Sequence, residues 1–508
     1  MKGSFTRSMA WLHTWCGLLF GWLLFAVFLT GTLAIFEHEI SAWMRPELRQ
    51  ANTAPREMAL ARAESLLLQT APRATSWRIT LPAADDAEPV VLRWREAEAF
   101  TTRYMNPATG EVIPVRDTEG GEFFVDFHAN LMAGNTGLWI VAGMGMAMLA
   151  ALVSGIVIHK RIFRDFFTFR PSMRAQRAWM DGHTLASVLA LPFHLMITYT
   201  GLAMSFTVYM PVGITMFFDG SAAALRAQVV TQFERPAAHQ PAEMLPLAHF
   251  LAPAEAILGR DSAETVVVRN PGDTQMVVEI FRRFDDRIAA VADHAAFDGV
   301  SGAPLGSQTI WNRSVLAWRV MVGLHMAQFG GDVLRWLYFL SGLASTAMIG
   351  SGLILFVLKR RVTHSMEASR FDHAVERVNV AAVAGVLIAC LAYFWLNRLL
   401  PAGLTERGAW EMGLLLPIWL VTLLHAMLRP PARAWIEQIS VAAVLSCTLP
   451  IVNLMTGGLP LAGAELGVDA AALGCGLAFG LLAWRMTRRS RCGRNIVAPT
   501  SGPLSRYR

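Results

Sequence analysis

The sequence predicts an all-α polytopic membrane protein of about eight transmembrane helices, with two α+β domains held outside the bilayer. Three observations predict it. Apolar residues make up 54% of the 508 and charged residues only 16%, at a mean hydropathy of +0.40; a soluble domain is about a quarter charged. The missing charge is missing in blocks, as apolar runs of about 18 to 26 residues, a length that fits spanning helices and not barrel strands of about ten. Basic residues cluster in short loops beside those runs, where they set topology.

The first span, 11–36, follows Lys2 and Arg7 and lacks a small-residue cleavage site. It also runs longer than a signal-peptide core, so an uncleaved first helix is expected. Segment 37–135 is hydrophilic, with a helical stretch Arg56 to Gln69, strands at Ser76–Thr80 and Val90–Trp94, and a turn at Asn106, Pro107 and Gly110. The second span is 136–158. Loop 159–181 carries Lys160, Arg161, Arg164, Arg170, Arg174 and Arg177 against Asp165.

The third span, 182–208, leads into a second hydrophilic segment, 209–333. Its helix is expected at Pro253–Leu258, its strands at Thr265–Arg269 and Gln275–Phe281, and a turn at Asp298–Gly302. The fourth span, 334–358, ends on Lys359, Arg360 and Arg361, which open the loop 359–378. Four more spans (379–396, 411–428, 434–453 and 468–486) fill 379–486 and read as an added scaffold with few polar residues. A basic tail, 487–508, follows. With an even count, every basic loop falls on one side. The positive-inside rule then puts both termini in the cytosol of a bacterial inner membrane and both hydrophilic segments in the periplasm.

The net charge of +6 is therefore a topology signal and not a nucleic-acid signal. Cys16, Cys390, Cys447, Cys475 and Cys492 lie in spans or the tail, so no disulfides are expected. No Walker loop and no Gly-x-Gly-x-x-Gly after a strand occurs, and no loop on the basic side has room for a flavin or nicotinamide domain.

The chain repeats itself. His13 precedes Gly31 of Leu29-Thr30-Gly31 by 18 positions, and His183 precedes Gly201 of Tyr199-Thr200-Gly201 by the same 18. His128 precedes Gly155 of Ser154-Gly155 by 27, and His325 precedes Gly352 of Ser351-Gly352 by 27. Two tandem helix–domain–helix units thus precede the four-helix extension. A parallel repeat sets His13 level with His183 near the inner face, and His128 level with His325 at the outer face.

Ionisable residues at membrane depth are costly and functional by default. A single such His can simply donate to a neighbouring carbonyl. Two facing pairs are what axial ligation of b-type haem requires, and no Cys-x-x-Cys-His attachment signature is present. On straight helices the two pairs would lie more than about 30 Å apart. Either Gly134 and Gly137 break the second helix so that His128 folds back, or His194, 11 residues after His183 and preceded by Pro192, supplies a ligand nearer mid-membrane. His159 is a further inner-face candidate. His38, between Glu37 and Glu39, reads as solvating a helix terminus. His239, His249, His294, His364, His373 and His425 are assigned no role.

Trp11-Leu12-His13-Thr14-Trp15-Cys16-Gly17 with Thr30-Gly31, Phe127-His128-Ala129-Asn130-Leu131, and Leu324-His325 with Gly330-Gly331 resemble helices of the PepSY-associated transmembrane helix family. His159-Lys160-Arg161 through Phe166-Phe167, Asp181-Gly182-His183 and Leu191-Pro192-Phe193-His194 are similar to one subgroup of it. The resemblance covers roughly residues 8–362. It implies two periplasmic PepSY-like domains and a link to iron uptake, since some members are di-haem reductases of ferric siderophores. It also implies haem ligation by His13, His128, His183 and His325, with His194 belonging to the subgroup pattern only. Relatives that fuse a flavin reductase domain differ from this chain, so the electron donor is expected to be separate, a quinol or a cytosolic reductant. Two other classes fit the residues less well: a permease for an iron or other metal complex, and a non-catalytic anchor.

Overall fold

The computed structural model describes residues 2–83, 87–159, 175–209, 212, 215–216, 221, 231, 233–285, 287–290, 293–363, 369–458 and 463–495. Lys160, Arg161, Arg164, Arg170 and Arg174, the motif 160–167, His364 and the tail from 496 onward lie outside the described residues.

Among the described residues six helices are long and apolar enough to cross a membrane, and two bent helix pairs bring the number to as many as eight. The first pair is α1 (Lys2–Leu19) and α2 (Gly21–Ala34). After α3 (Glu37–Met44) the chain leaves the bundle. It builds α4 (Arg56–Thr70), then strands β1 (Ser76–Thr80), β2 (Val90–Glu96), β3 (Ala99–Met105) and β4 (Val112–Ile113). It returns through α5 (Glu122–Asn130) and α6 (Gly134–Ile158).

The second unit repeats the plan. The bent pair is α7 (Ala175–Leu189) and α8 (Leu191–Met204). There follow α9 (Leu251–Leu258) and strands β5 (Ala263–Arg269), β6 (Val277–Arg282), β7 (His294–Asp298) and β8 (Pro304–Gln308). The return runs through α10 (Arg313–Met326) and α11 (Gly331–Thr363). The four extra spans are α12 (Arg370–Leu399), α13 (Arg407–Leu428), α14 (Pro431–Gly457) and α15 (Gly463–Asn495).

The first span was expected to be continuous, and it is not. Both bent pairs turn by 64°, at Phe20 and Ala190, which are seven residues after His13 and His183 respectively. In α8 the cause is legible: Pro192 has no N–H and its ring crowds the preceding turn. The break at Phe20 has no proline, and Gly21 beyond it lets the Leu353 side chain approach to 3.0 Å of where a Cβ would stand.

The strands of the two hydrophilic segments, expected to pack against each other or the membrane, lie in one eight-stranded antiparallel sheet of order β4-β3-β2-β1-β5-β6-β7-β8. The halves join through β1 and β5, with Ser76 opposite Arg269 and Thr80 opposite Thr265. Strand residues alternate between faces. Trp77, Ile79, Leu92, Trp94, Val266, Val268 and Ile280 pack one shared core with Leu60 and Leu67 of α4 and Leu251 and Leu258 of α9. The joint removes two strand edges that would otherwise be open to foreign pairing.

On the other face, segment 233–241 lies across the second half only. Glu234 pairs with Arg269 (2.7 Å), Arg235 with Asp298 (2.6 Å), and Phe233 meets the His294 ring at 5.7 Å. Burial alone would raise the Asp298 carboxyl. The N–H groups of Ser301 and Val300, the Ser301 hydroxyl and Arg235 together hold it down to about 2. A depressed folded value stabilises fully above the unfolded value of about 3.9 and is lost as pH falls through the folded one. Asp298→Asn is therefore expected to flatten the stability of the sheet between about pH 4 and pH 2, read by hydrogen exchange at β7; an unchanged pH slope would disprove it.

The extension is less apolar than expected. Arg407 and Glu411 pair with both side chains fully buried, and Thr118 of the first outer segment bonds to Glu411. Asp469 takes Trp43 Nε1 (2.9 Å) and Asn453 Nδ2 (2.7 Å), and Arg49 pairs with Glu465. These bonds fasten the four extra helices to the first unit at the end that carries the sheet.

Candidate haem-type histidine pairs

Each of the four repeated histidines is held by the partner helix of its own unit. His13 on α1 sets Nδ1 2.8 Å from the carbonyl of Ala151 on α6, and His183 on α7 sets Nδ1 2.9 Å from that of Met348 on α11. His128 on α5 does the same with Val27 of α2 (2.8 Å), and His325 on α10 with Ile197 of α8 (3.0 Å). A carbonyl only accepts, so Nδ1 carries the proton and Nε2 keeps its lone pair. That is the tautomer a metal-ligating imidazole needs, oriented as such ligands are by a backbone carbonyl. No Nε2 of the four has a hydrogen-bond partner among the described residues.

The matched glycines make this approach possible. Each accepting carbonyl lies four residues before one of them: Val27 before Gly31, Ala151 before Gly155, Ile197 before Gly201, Met348 before Gly352. The imidazole lies against that glycine. A Cβ on Gly31 would stand 2.5 Å from His128 Nδ1, on Gly201 2.7 Å from His325 Cε1, on Gly155 3.1 Å from His13 Cε1, and on Gly352 3.3 Å from His183 Cε1. The hydroxyl just before each glycine (Thr30, Ser154, Thr200 and Ser351) donates to the same carbonyl as its histidine. The repeated spacings in the sequence thus encode four copies of one imidazole cradle. The Thr-Gly and Ser-Gly pairs were visible there as repeat markers, and their function as cradles was not.

Across the units the rings come together in pairs. His13 and His183 have centroids 6.4 Å apart, and His128 and His325 5.9 Å apart with planes inclined at 28°. A metal–imidazole bond is about 2.0–2.1 Å, so one atom between two ligating rings sets their centroids on the order of 6 Å apart. Both pairs fit that span. Among the described residues no group of three or more His, Cys, Asp and Glu could hold a bare metal ion.

The second span is broken at its start, near Gly134 and Gly137. Helix α5 ends at Leu131 in a left-handed conformation (φ 54°), and Gly134 (φ 55°) starts α6 after a short break. A side chain on Gly137 would collide with the carbonyl of Asn130, 1.6 Å away. Helix α10 ends likewise at Ala327 (φ 56°). His128 lies alongside α2, at Val27. With the 64° bend, the helical rise between His13 and Gly31 spans about 23 Å instead of about 27 Å.

His194 does not join either pair. It is fully buried, with Nδ1 2.8 Å from Ser345 Oγ of α11 and Nε2 3.3 Å from the Ala186 carbonyl across the α7–α8 break. Ligation through Nε2 would cost the bond to Ala186 and leave Nδ1 to donate to Ser345 Oγ. His159 ends α6 and lines the same cavity as His13 and His183. That cavity, about 490 Å³, has Trp15, Leu355 and Phe356 among its apolar walls and Lys359 and Arg360 among its polar ones. Its size is ordinary for a cofactor site, about 300–1,000 Å³.

The chain is similar to an uncharacterized protein of Pseudomonas aeruginosa, 26% identical over 399 residues that cover 72% of this chain and 95% of that protein. The model of the PepSY-associated TM region family matches residues 10–360, from just before His13 to just after the fourth span. A match over that much of the sequence, including all four cradled histidines, makes this chain a member of the PepSY-associated TM region family.

Proposed function

We propose that this chain is an inner-membrane haem b electron-transfer protein that carries electrons across the bilayer to reduce ferric chelates, ferric siderophores among them, on the side of the sheet. The observation that carries the reading is the pair of imidazole pairs, each at single-atom spacing and each with Nδ1 held by a backbone carbonyl. Two b-type haems bound there would supply one-electron transfer between a donor on one side and a ferric complex on the other. Iron(III) leaving as iron(II) loses its hold on hard oxygen ligands, which is how one electron frees it. A membrane quinol or a cytosolic reductant supplies that electron, a quinol giving two electrons and two protons for two chelates.

The residues of the chain do the positioning. His13 with His183, and His128 with His325, would ligate, and the four carbonyls and hydroxyls fix their tautomer and ring plane. Lys359 and Arg360 are cations at the cavity of the His13 pair, where haem carboxylates would meet them. The run Lys359-Arg360-Arg361 and the basic end of α15 support cytosolic termini, with the sheet in the periplasm as a PepSY-like region.

The test is a visible spectrum of detergent-purified protein before and after dithionite, with a pyridine haemochrome assay. A Soret band with sharp reduced α and β bands at about two haems per chain is expected. Colourless protein from haem-replete cells would end the reading and favour transport of a metal complex.

A further inference from the structure

The two halves of the sheet differ on the face away from the shared core. In register across β2 and β1 lie Arg93 and Arg78, directly opposite one another and both exposed. The positions facing each other across β5 and β6 in the second half are Val267 and Glu279. There Glu279 is buried and bonded to Arg269 (2.7 Å), and segment 233–241 closes the face. No such segment covers the first half among the described residues, and neither Arg78 nor Arg93 has an acidic hydrogen-bond partner there.

Like charges opposite one another destabilise a sheet. Here the repulsion is kept: partial burial at the base of the exposed side chain lowers Arg78 from its ordinary value, and the facing Arg93 lowers it further. Phe100 on β3 stacks under Arg93 (4.5 Å) and is 57% exposed, so one guanidinium is already held flat and facing outward. Strand β4 leads into α5, which carries His128, so this open half belongs to the unit that holds one ring of the sheet-end pair.

We infer that the open face around Arg78 and Arg93 is a docking site for an anionic, oxygen-rich iron(III) chelate, of the catecholate or carboxylate kind. The inference rests on the ferric-chelate reading and deepens it by naming the charge class. Planar guanidinium groups suit oxyanions by paired hydrogen bonds. An anionic complex there would also relieve the Arg78–Arg93 repulsion, which a neutral or cationic chelate would not. No electron moves in this step; it is binding only.

The probe is redox-inert: gallium(III) tricatecholate, with a cationic gallium(III) trihydroxamate as comparison, titrated onto the full chain in zwitterionic detergent by calorimetry. The anionic complex is expected to bind, and to bind more weakly as salt rises. Arg78→Gln and Arg93→Gln are each expected to weaken it roughly tenfold. Both side chains are exposed, and a melt that holds or rises on neutralising either one shows that the sheet is intact. Equal binding of the two gallium complexes, or an unchanged double variant, overturns the proposal. So does loss of binding to phosphatidylglycerol vesicles with gallium binding unaltered, which would make the face a lipid contact. The titration is repeated on protein depleted of haem. Binding retained there, beside a failed haem spectrum, sinks the reductase reading and leaves the site, whereas a good spectrum without gallium binding sinks only the site.

Discussion

His128→Ala or His325→Ala is expected to lower haem content from about two per chain to about one, and to slow reduction of an external ferric chelate more than about 100-fold. Each pair offers a single imidazole from each unit, so losing one ring leaves the other without its opposite ligand. His13→Ala or His183→Ala is expected to remove the other haem, because the two pairs share no side chain. His194→Ala is the informative control. Its ring stands in neither pair and bonds instead to Ser345 of α11 and Ala186 of α7, so the variant should keep both haems and lose only stability. The measurements are pyridine haemochrome stoichiometry and reduction of an external iron chelate by sealed vesicles loaded with reductant. Full haem content in His128→Ala, or loss of a haem in His194→Ala, would reverse the assignment of ligands.

Much of this arrangement was legible before any coordinates. Span positions followed from apolar runs, because a bilayer leaves no other solution for them. Strands β1 and β2 and the helix from Arg56 were expected where they stand. The four histidines stood out through their spacing to Gly31, Gly155, Gly201 and Gly352. What escaped were facts that live between segments. Strand β7 (His294–Asp298) is buried on both faces, so it shows no alternation to read. The β1–β5 joint is a pairing between residues about 190 positions apart, and local pattern carries no trace of it. The break at Phe20 has no proline to announce it. The polar contacts of α12 to α15 with the first unit were invisible because Arg407, Glu411 and Asp469 each look isolated until their partners arrive.

The glycine cradles give the sharpest separation of fold from function. Alanine at Gly31 would bring its Cβ to 2.5 Å from His128 Nδ1, and at Gly201 to 2.7 Å from His325 Cε1. Real Cβ contacts do not reach such distances, so the ring must shift and with it the bond to Val27 or Ile197. Alanine at Gly155 or Gly352 meets its histidine at 3.1 or 3.3 Å, which a shift of a few tenths of an ångström absorbs. Gly31→Ala and Gly201→Ala are therefore expected to weaken haem retention at the His128–His325 pair by about 10- to 100-fold, the cost of disturbing an orienting contact. Gly155→Ala and Gly352→Ala should lose far less at the His13–His183 pair. Gly17 and Gly143 lie in helices with nothing within 4 Å of a built Cβ. There alanine should stabilise by about 0.5–1 kcal/mol through helix propensity alone. Haem titration against all six variants reads the order directly. If Gly31→Ala retains haem as well as Gly143→Ala does, the close approach of imidazole to helix is not what holds the ligand, and the matched spacings of the two units must be explained by packing alone.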